Sequence, residues 1–299
     1  MSTSITDITD GQRKQIKRFA EDAVDCAIAE GFFDKKDVQR IIENGDVFKA
    51  RVAAAMKNLS ISDDFIDEEV KSNYRYPFDY KIKGIGEQVN ILRRFFPNLG
   101  LALEKIEQQP LPPNAEGWFA IPRWQAVGKT YEEALREVFN LLAEQHDGKL
   151  NKYGFEIGEK HLRQQERTER SLRIIGGQQV GFDILIVPAQ FGLCHKGRSV
   201  RRARKVFSEN EFGLGVFEIG CMLLTHPERL SFENLWVICA GSEYALRDDG
   251  IFTNVPSFIL DCCWIEIRIL RAKTAVDYYG SATAFVPPNW FLPSALGGG

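Results

Sequence analysis

The stretch from Phe182 to Pro227 constrains the fold more than any other part of the chain, because a short apolar run, a glycine-bearing loop, a basic segment and a long apolar segment follow one another there. The first of these, FDILIV at residues 182–187, is short, rich in β-branched side chains and followed by Pro188. A partnered helix would need more length, so the pattern predicts a buried strand that ends at the proline.

The last part of the same stretch predicts a buried helix. Ser208 and Glu211 have the spacing of a capping box, in which the serine oxygen accepts from a backbone N–H and the glutamate reaches back. The helix is therefore expected to begin near Glu209. Its body, FGLGVFEIGCMLLT, is apolar on nearly every side and is closed by Pro227, which is typical of a central helix enclosed by the core.

A basic loop and helix lie between these two elements. The loop GLCHKGRS runs from Gly192 to Ser199 and leads into VRRARKVF, where helical spacing places cationic side chains on one face and apolar side chains on the other. No carboxylate lies between His195 and Lys205. The cations of this segment are Lys196, Arg198, Arg201, Arg202, Arg204 and Lys205. We expect this basic segment to meet water, carboxylates or phosphates.

A second basic stripe is predicted upstream of the strand. A helix is expected over about Glu159 to Ile175, and helical spacing brings four of its cations within about 80° of one another. These are Lys160, Arg163, Arg167 and Arg170. From Lys160 to Lys205, eleven cationic side chains stand against three acidic ones, a net charge of +8 that leaves −11 on the rest of a chain whose total is −3. A local cationic field of this kind points to anionic partners.

Composition places the chain among soluble globular proteins, with 44% hydrophobic and 26% charged residues. No run approaches the roughly 20 apolar residues that cross a bilayer. The N-terminal sequence MSTSITDITDGQRKQ also lacks the apolar stretch of a signal peptide. We therefore expect a cytoplasmic protein with no membrane partner.

Cysteines and histidines give no sign of a metal centre. The six cysteines lack C-x-x-C spacing and several lie in apolar runs, so reduced core thiols are expected. The four histidines form no H-x-x-x-H pair. The sequence therefore predicts neither a metal site nor a cofactor.

The predicted secondary structure changes from helices alone to a mixture of helices and strands at a proline-rich segment. Residues 1–107 are expected to form an all-helical N-terminal region. The segment QQPLPPNAEG at 108–117 is expected to be a linker, because its three prolines interrupt any helix. Helices are predicted over about residues 10–30, over 34–58 with an interruption at Asn44-Gly45, from Ser62 onward, and over 84–96 and 99–106.

Beyond the linker, helical and strand patterns alternate. Strands are predicted at residues 118–121, 235–240, 257–260 and 264–269, and a helix capped by Thr130 is predicted to extend to about Glu144. The fold class expected for residues 118–290 is an α/β (α+β) domain with a central buried helix and a mixed sheet of about four to six strands. Residues 291–299 are expected to be a disordered tail.

These features favour a non-enzymatic binder of phosphate-rich ligands. Arginine fits phosphate bidentately, and two converging basic stripes would follow a DNA or RNA backbone. The expected phosphate-binding residues are Lys160, Arg163, Arg167, Arg170, His195, Lys196, Gly197, Arg198, Ser199, Arg201, Arg202 and Lys205. No catalytic residue is expected. Cys194 and His195 are adjacent in an extended loop, where side chains point apart, and no third orienting group is evident.

Two other functions stay open. GLCHKGRS differs by one residue from the phosphate-binding pattern G-x-x-x-x-G-K-[ST], with Arg198 in the lysine position. Over these eight residues the chain resembles P-loop nucleotide hydrolases, and the resemblance implies magnesium-dependent binding and hydrolysis of a nucleotide that involve Gly197 and Ser199. The other alternative is a structural or assembly protein that uses its acidic helical region as a contact surface and has no ligand.

Overall fold

The structure, a computed structural model, describes residues 9–29, 33–49, 52–53, 64–76, 80–230, 235–261, 264–287 and 290. The chain divides into two compact units, Met1–Ser60 and Ile61–Gly299. The predicted helix end at residue 58, the helix start at Ser62 and the tail at 291–299 lie outside the described residues. Among the residues that are described, no helix is long and apolar enough to cross a membrane.

Among its described residues, the first unit contains the helices that its periodicity predicts, and residues 45–49 are again helical after the interruption at residue 44. Helix α1 spans Asp10–Ala29 and helix α2 spans Lys35–Glu43. Asp34, at the start of the helix predicted over 34–58, is the N-cap of α2, and its carboxylate accepts hydrogen bonds at 2.7 and 2.8 Å from the backbone N–H groups of the second and third helical residues. Asn44 is the C-cap of α2, which confirms the predicted interruption. Neither helix has a buried residue.

Helix α3, Ile85–Phe95, confirms the helix predicted over 84–96. It packs on the strand that follows the proline-rich segment, and a buried glutamine joins the two. The Gln88 side chain donates to the carbonyl of Trp118 and accepts from the N–H of Ala120, both at 2.9 Å. One side chain therefore satisfies two backbone groups at the edge of that strand.

The boundary between the units differs from the predicted linker. Residues before the proline-rich segment 108–117 contact residues after it, as Gln88 contacts Trp118, so both sides of the segment belong to the second unit. The helix predicted over 99–106 is wrong, and a 3-10 turn at Glu104–Gln108 replaces it. Residues 101 and 102 are held against residues 183–184 instead: the Leu101 carbonyl accepts from the N–H groups of Asp183 and Ile184, and Ala102 forms a bridge with Ile184. Ahead of residue 117 the described residues contain helices and turns but no strand, as predicted for the N-terminal region.

Four strands form the smaller sheet. They are β1 (Gly117–Pro122), β4 (Ile184–Gln190), β5 (Glu211–Gly213) and β11 (Thr283–Phe285). Their order is β1-β4-β11-β5, and every pairing is antiparallel. Strand β4 is buried along its whole length, as predicted, but it continues past Pro188. The proline is tolerated because β11 pairs with β4 only at Ala189 and Gln190.

Seven strands form the larger sheet. They are β2 (Leu150–Asn151), β3 (Leu162–Gln164), β6 (Trp236–Ile238), β7 (Ser242–Tyr244), β8 (Asn254–Asp261), β9 (Trp264–Arg271) and β10 (Tyr279–Ser281). Strands β8 and β9 pair in antiparallel fashion along eight residues each, which confirms the predicted terminal strand pair. Because β10 pairs with β6 and β2 pairs with β9 in parallel, the sheet is mixed, as expected.

The sequence predicts one sheet, whereas the described residues form two. The chain passes from one sheet to the other at Ala282, since β10 ends at Ser281 and β11 begins at Thr283. Small residues surround this crossing: a Cβ on Gly280 would lie 2.6 Å from the carbonyl oxygen of Gly192. The fold class is α+β, as predicted, with helices at the N-terminus and a mixture of helices and strands after them.

Helix α7, Val216–Thr225, is the predicted central helix. All of its residues are buried. It packs against α3, β1 and helix α4 (Tyr131–Gln145), which Thr130 caps as predicted. Gly220 permits the close approach to α4, because a Cβ there would lie 2.6 Å from Cγ1 of Val138.

The start of this helix differs from the prediction. Residues 211–213 form β5, and the helix begins after Gly215, which is its N-cap. Glu211 does accept a hydrogen bond from the N–H of Ser208 at 3.1 Å, as the glutamate of a capping box does. Glu211 nevertheless pairs with Phe285 of β11. The strand pairing therefore takes the place of the first helical turn.

Candidate functional site

The loop between β4 and the basic helix has the predicted arrangement of strand, loop and helix. Two glycines shape it, with left-handed φ values of 118° at Gly192 and 77° at Gly197. Helix α6, Val200–Val206, follows, and the Ser199 hydroxyl caps it by accepting from the N–H of Arg202 at 3.0 Å. A Cβ at Gly197 would lie 2.3 Å from the carbonyl oxygen of Val70, so only glycine fits there.

Residues 64–69, hereafter the acidic segment, lie on the cationic face of α6. The Glu69 carboxylate bridges two guanidinium groups, with Arg198 Nε at 2.8 Å and Arg202 Nε at 3.1 Å. Burial acts to raise the pKa of Glu69, but the hydrogen bonds and charges of the two arginines outweigh it and lower the pKa. Glu69 is therefore held as a carboxylate.

Two more carboxylates of the acidic segment complete these contacts. Glu68 accepts from the Ser199 hydroxyl at 2.6 Å and from Arg201 Nε at 3.2 Å, and a second Arg201 nitrogen bonds its other oxygen. Asp64 pairs with Lys205 at 2.8 Å. The expectation that this face meets water, carboxylates or phosphates is met by carboxylates that lie more than 120 residues away in the sequence.

The second basic stripe is not on one helix. Helix α5 spans Glu166–Gln178, so the helix predicted from Glu159 begins too early; Lys160 precedes β3, and Arg163 lies in it. The reason is that β3 pairs with β7, which fixes residues 162–164 as extended. Of the four predicted cations, only Arg167 and Arg170 lie on α5.

Three of these cations, Lys160, Arg163 and Arg167, have acidic or carbonyl partners. Lys160 pairs with Asp248 at 2.5 Å, and the Arg167 guanidinium bonds the carbonyl of Glu209 at 3.1 Å. Arg163 and Arg204 share the carboxylate of Glu243, at 2.8 and 3.2 Å. The two basic segments are therefore neighbours, joined through an acidic side chain rather than forming one continuous cationic face.

A buried acid–base pair lies beneath the loop. His195 Nε2 lies 2.6 Å from Glu211 Oε1, and each residue is 2% exposed. The same carboxylate accepts from the Thr283 hydroxyl at 2.7 Å, and Thr283 in turn accepts from the Gln190 amide at 2.8 Å. Every polar group of this chain of hydrogen bonds has a partner, which fixes the position of the ring.

The protonation of His195 follows from its neighbours. Burial acts to lower its pKa, but the charge of Glu211 and the hydrogen bonds that the ring makes with Cys194 and Glu211 outweigh it and raise the pKa to about 9. An Arg198 nitrogen lies 3.2 Å from Nδ1. Since a guanidinium only donates, Nδ1 accepts in this arrangement and the proton lies on Nε2, toward Glu211. Both ring nitrogens of His195 therefore have partners, Arg198 at Nδ1 and Glu211 at Nε2.

Cys194 stands next to this pair. Its sulfur, a His195 ring nitrogen and a Glu211 carboxylate oxygen lie within 4.8 Å of one another, and the cysteine is half-buried. The sequence argument that adjacent side chains point apart and lack an orienting group is wrong here, because the 3-10 turn at Leu193–His195 curls the chain. Glu211 supplies the third group. In the sequence, the spacing of Glu211 from Ser208 predicted only a helix cap and gave no indication that Glu211 contacts His195.

The three side chains are better suited to holding a proton than a metal ion. Among the described residues, Cys194, His195 and Glu211 form a cluster whose possible ligand atoms are close enough together for a metal site to be considered. Ligand atoms about 2.0–2.3 Å from one tetrahedral ion lie more than about 3 Å apart. The direct contact of 2.6 Å between His195 and Glu211 is a hydrogen bond instead, and the Arg198 guanidinium at 3.2 Å adds positive charge.

The loop resembles a phosphate-binding loop in sequence, but its backbone N–H groups are directed elsewhere. The N–H groups of Gly192 and Cys194 donate to Oε1 of Gln190 at 2.5 and 3.4 Å. Those of Gly197 and Ser199 donate to the carbonyls of Tyr279 and Glu68. A phosphate-binding loop uses such groups to surround the anion, so this conformation offers a nucleotide few of them.

Comparison with protein-family models, with curated proteins and with solved structures finds no match for this chain. Two features carry chemistry: the cationic face of α6 with its carboxylates, and the Cys194, His195 and Glu211 group beneath the adjoining loop.

Proposed function

We propose that the protein is a non-enzymatic binder of phosphate-rich ligands, DNA or RNA backbone foremost, and that it binds them at the cationic face of α6. The observation that supports this is the docking of three carboxylates of the acidic segment onto that face. A surface that holds three anionic groups in place has the charge and the donor geometry that phosphates need.

Individual contacts support a phosphate in place of each carboxylate. Arg201 grips Glu68 through two nitrogens, and arginine uses the same fork for phosphate oxygens. Arg201 and Lys205 keep 40% and 48% of their side-chain surface exposed despite their carboxylate partners. A ligand can therefore approach both cations before the acidic segment moves.

The acidic segment is then an internal competitor for the ligand. A nucleic acid has to displace Glu68 and Glu69 from their arginines, so binding is weaker than the number of cations implies. Exposed Arg170 on α5 belongs to the neighbouring segment and adds to the attraction. The buried free thiols Cys221 and Cys239 are in keeping with a reducing compartment, and we place the protein in the cytoplasm.

A salt series with mixed-sequence single- and double-stranded probes tests this function. Affinity of the wild type should fall with salt with a log–log slope of roughly −0.7 to −0.9 per phosphate contact. Glu68→Gln/Glu69→Gln should bind more tightly than wild type, because the competing charges are gone. Arg201→Glu/Arg202→Glu should bind more weakly.

The matched control is Lys35→Glu/Lys36→Glu on α2, which makes the same change of charge on exposed residues far from α6 in the sequence. It should bind like the wild type. Melting profiles identify any variant that is unfolded. If wild type and Glu68→Gln/Glu69→Gln both fail to bind at low salt, or if the α2 control loses as much affinity as the α6 variant, the proposal is wrong.

A further inference from the structure

Helix α1 of the first unit carries an apolar stripe in which no side chain is buried. At 100° per residue, five apolar residues fall within an arc of about 100° along this helix. They are Ile16, Phe19, Ala20, Ala23 and Ala27. Ile16 and Phe19 are 41% and 56% exposed. Most of the stability of a helix in a protein comes from packing such a face, so a partner for α1 is expected.

The charges of α1 are divided along its length. From Arg13 to Arg18 every charged residue is basic, and from Phe19 to Ala29 every charged residue is acidic. Among the described residues of the first unit, the ion pairs lie on α2 and at residues 46–49 instead. The charged residues of the two halves, all exposed, are Arg13, Lys14, Lys17 and Arg18, and Glu21, Asp22 and Asp25.

This division is unfavourable in a lone helix. Each half holds like charges three and four residues apart, such as Lys14 with Lys17 and Arg18, and these repel one another. Cations near the N-terminus and acids toward the C-terminus also oppose the helix dipole. A second helix of opposite direction offsets both costs, because it sets acids beside the cations and its own N-terminus beside the acids.

We propose that the protein self-associates through α1, with the α1 helices of two copies packed antiparallel along the apolar stripe. The basic half of each helix then lies beside the acidic half of the other, whereas a parallel pair would set like charges together. Ala20, Ala23 and Ala27 allow the helix axes to approach to about 8 Å, the short end of the usual range. This association uses no residue of α6, so it is independent of the proposed function.

The same pattern argues against other occupants of the stripe. A nucleic acid or an anionic membrane would attract the basic half of α1 but repel the acidic half. Any partner with one sign of charge therefore fits only half of the helix. A second α1 fits along the whole length, because reversing its direction reverses the order of its charges.

Analytical ultracentrifugation of the full chain over a range of concentrations measures the association. The wild type should form a dimer. Ile16→Gln/Phe19→Gln removes apolar surface from the stripe and should be monomeric at concentrations at which the wild type is dimeric. The matched control, Ile42→Gln/Val47→Gln, makes the same kind of change at residues that are 66% and 52% exposed, and it should remain dimeric. A monomeric wild type would leave the stripe to a different partner and overturn the proposal, as would a dimeric Ile16→Gln/Phe19→Gln.

Two charge-reversal variants test whether charge selects the partner. Lys17→Glu/Arg18→Glu makes every charged residue from 17 to 25 acidic, and Glu21→Lys/Asp22→Lys makes every charged residue from 13 to 22 basic. Each variant alone should be monomeric where the wild type is dimeric, and an equimolar mixture of the two should form a dimer. A mixture that stays monomeric, or a single variant that dimerises as tightly as the wild type, would contradict the pairing of opposite halves.

Cross-linking tests the direction of the pair. Gln15 and the exposed Cys26 are eleven residues apart, about three helical turns or 16 Å, so they lie on one side of α1. In an antiparallel pair this side of one helix faces the same side of the other. A short bis-maleimide should therefore give a covalent dimer of Gln15→Cys, linked between position 15 of one copy and Cys26 of the second, as peptide mass mapping can show. In the wild type the two Cys26 thiols should stay unlinked. A link between them, or no link in Gln15→Cys, would rule out the antiparallel pair.

Discussion

Two buried glutamates on neighbouring elements show opposite behaviour. Glu211 in β5 and Glu218 in α7 are 2% and 3% exposed. Burial acts to raise the pKa of both carboxyls. Contacts with His195, Thr283 and Ser208 overcome it and lower the pKa of Glu211. Glu218 has hydrogen bonds from the Gln164 amide and the backbone but no cation, and its pKa stays raised.

The difference shows that burial alone does not set the protonation state of an acidic side chain in this core. The partner does. One oxygen of Glu218 has no hydrogen-bond partner, whereas each oxygen of Glu211 has one. A charged histidine stabilises the buried carboxylate of Glu211. The buried carboxyl of Glu218 has no such partner, so it destabilises the fold, and the surrounding core has to offset that cost.

The largest effect is expected when a carboxylate is placed in the same core with no partner at all. Met222 of α7 is fully buried, so Met222→Asp should destabilise the second unit by more than about 4 kcal/mol. Chemical denaturation measures it. Met222→Leu is the matched control and should cost less than about 1.5 kcal/mol. A Met222→Asp protein that melts like the wild type would show that α7 is not the centre of the core.

Removing the partnered charge should cost less. Glu211→Gln leaves His195 without its anion, and breaking a buried pair costs about 3 kcal/mol, the low end of the usual range, because the imidazole can lose its proton. Denaturation at pH 7 measures this. His195→Gln should cost a similar amount, and the double variant should cost less than the sum. Additive costs would mean that the two side chains do not interact.

A smaller loss is expected from the hydrogen bond that supports the pair. Thr283→Val keeps the shape of a fully buried residue but removes the donor that lies 2.7 Å from Glu211. A bond to a charged group is worth about 1.5–3 kcal/mol, so we expect a loss of about 2 kcal/mol. In the Glu211→Gln background the same change should cost less, since the acceptor is no longer charged. An equal cost in both backgrounds would contradict the role of Thr283.

Much of the fold can be predicted from periodicity. The helix at residues 10–29, the buried strand in FDILIV and the apolar run that ends at Pro227 all form the predicted element. The boundaries fail where long-range pairing decides. Glu211 is extended because it pairs with β11. Residues 162–164 are extended because they pair with β7. No local pattern contains those partners.

The candidate site was harder to predict for the same reason. The cations of α6 are visible in the sequence, but the carboxylates that meet them come from residues 64–69. The proximity of Glu211 to His195 depends on the 3-10 turn at residues 193–195 and on two tertiary features, the pairing of β5 with β11 and the close approach of Gly192 to Gly280. Spacing could indicate a helix cap at Glu211 but not the ring that faces it.

The smallest effect, and the only stabilising one, is expected at the unpaired acid. The pKa of Glu218 is raised above the ordinary value of 4.5, so the folded state binds its proton more tightly than the unfolded state does. The contribution of this proton to stability is complete below pH 4.5 and is lost as pH rises through the raised pKa. Glu218→Gln does not titrate and should therefore be more stable than the wild type at neutral pH, by about 1 kcal/mol.

A stability series from pH 4 to pH 8 tests the contrast between the two acids. The gain from Glu218→Gln should grow as pH rises. The pKa of Glu211 is lowered, so its contribution is present above the ordinary value of 4.5 and is lost as pH falls through the lowered pKa. The loss from Glu211→Gln should therefore begin to shrink toward acid only below pH 4.5. Above pH 6.5 it should shrink as well, because His195, whose pKa is raised from 6.5 to about 9, loses its proton there. If the Glu218→Gln gain does not change with pH, or if the variant is less stable at pH 7, Glu218 is ionised and satisfied in the folded state, and the two positions do not differ in the way that their partners imply.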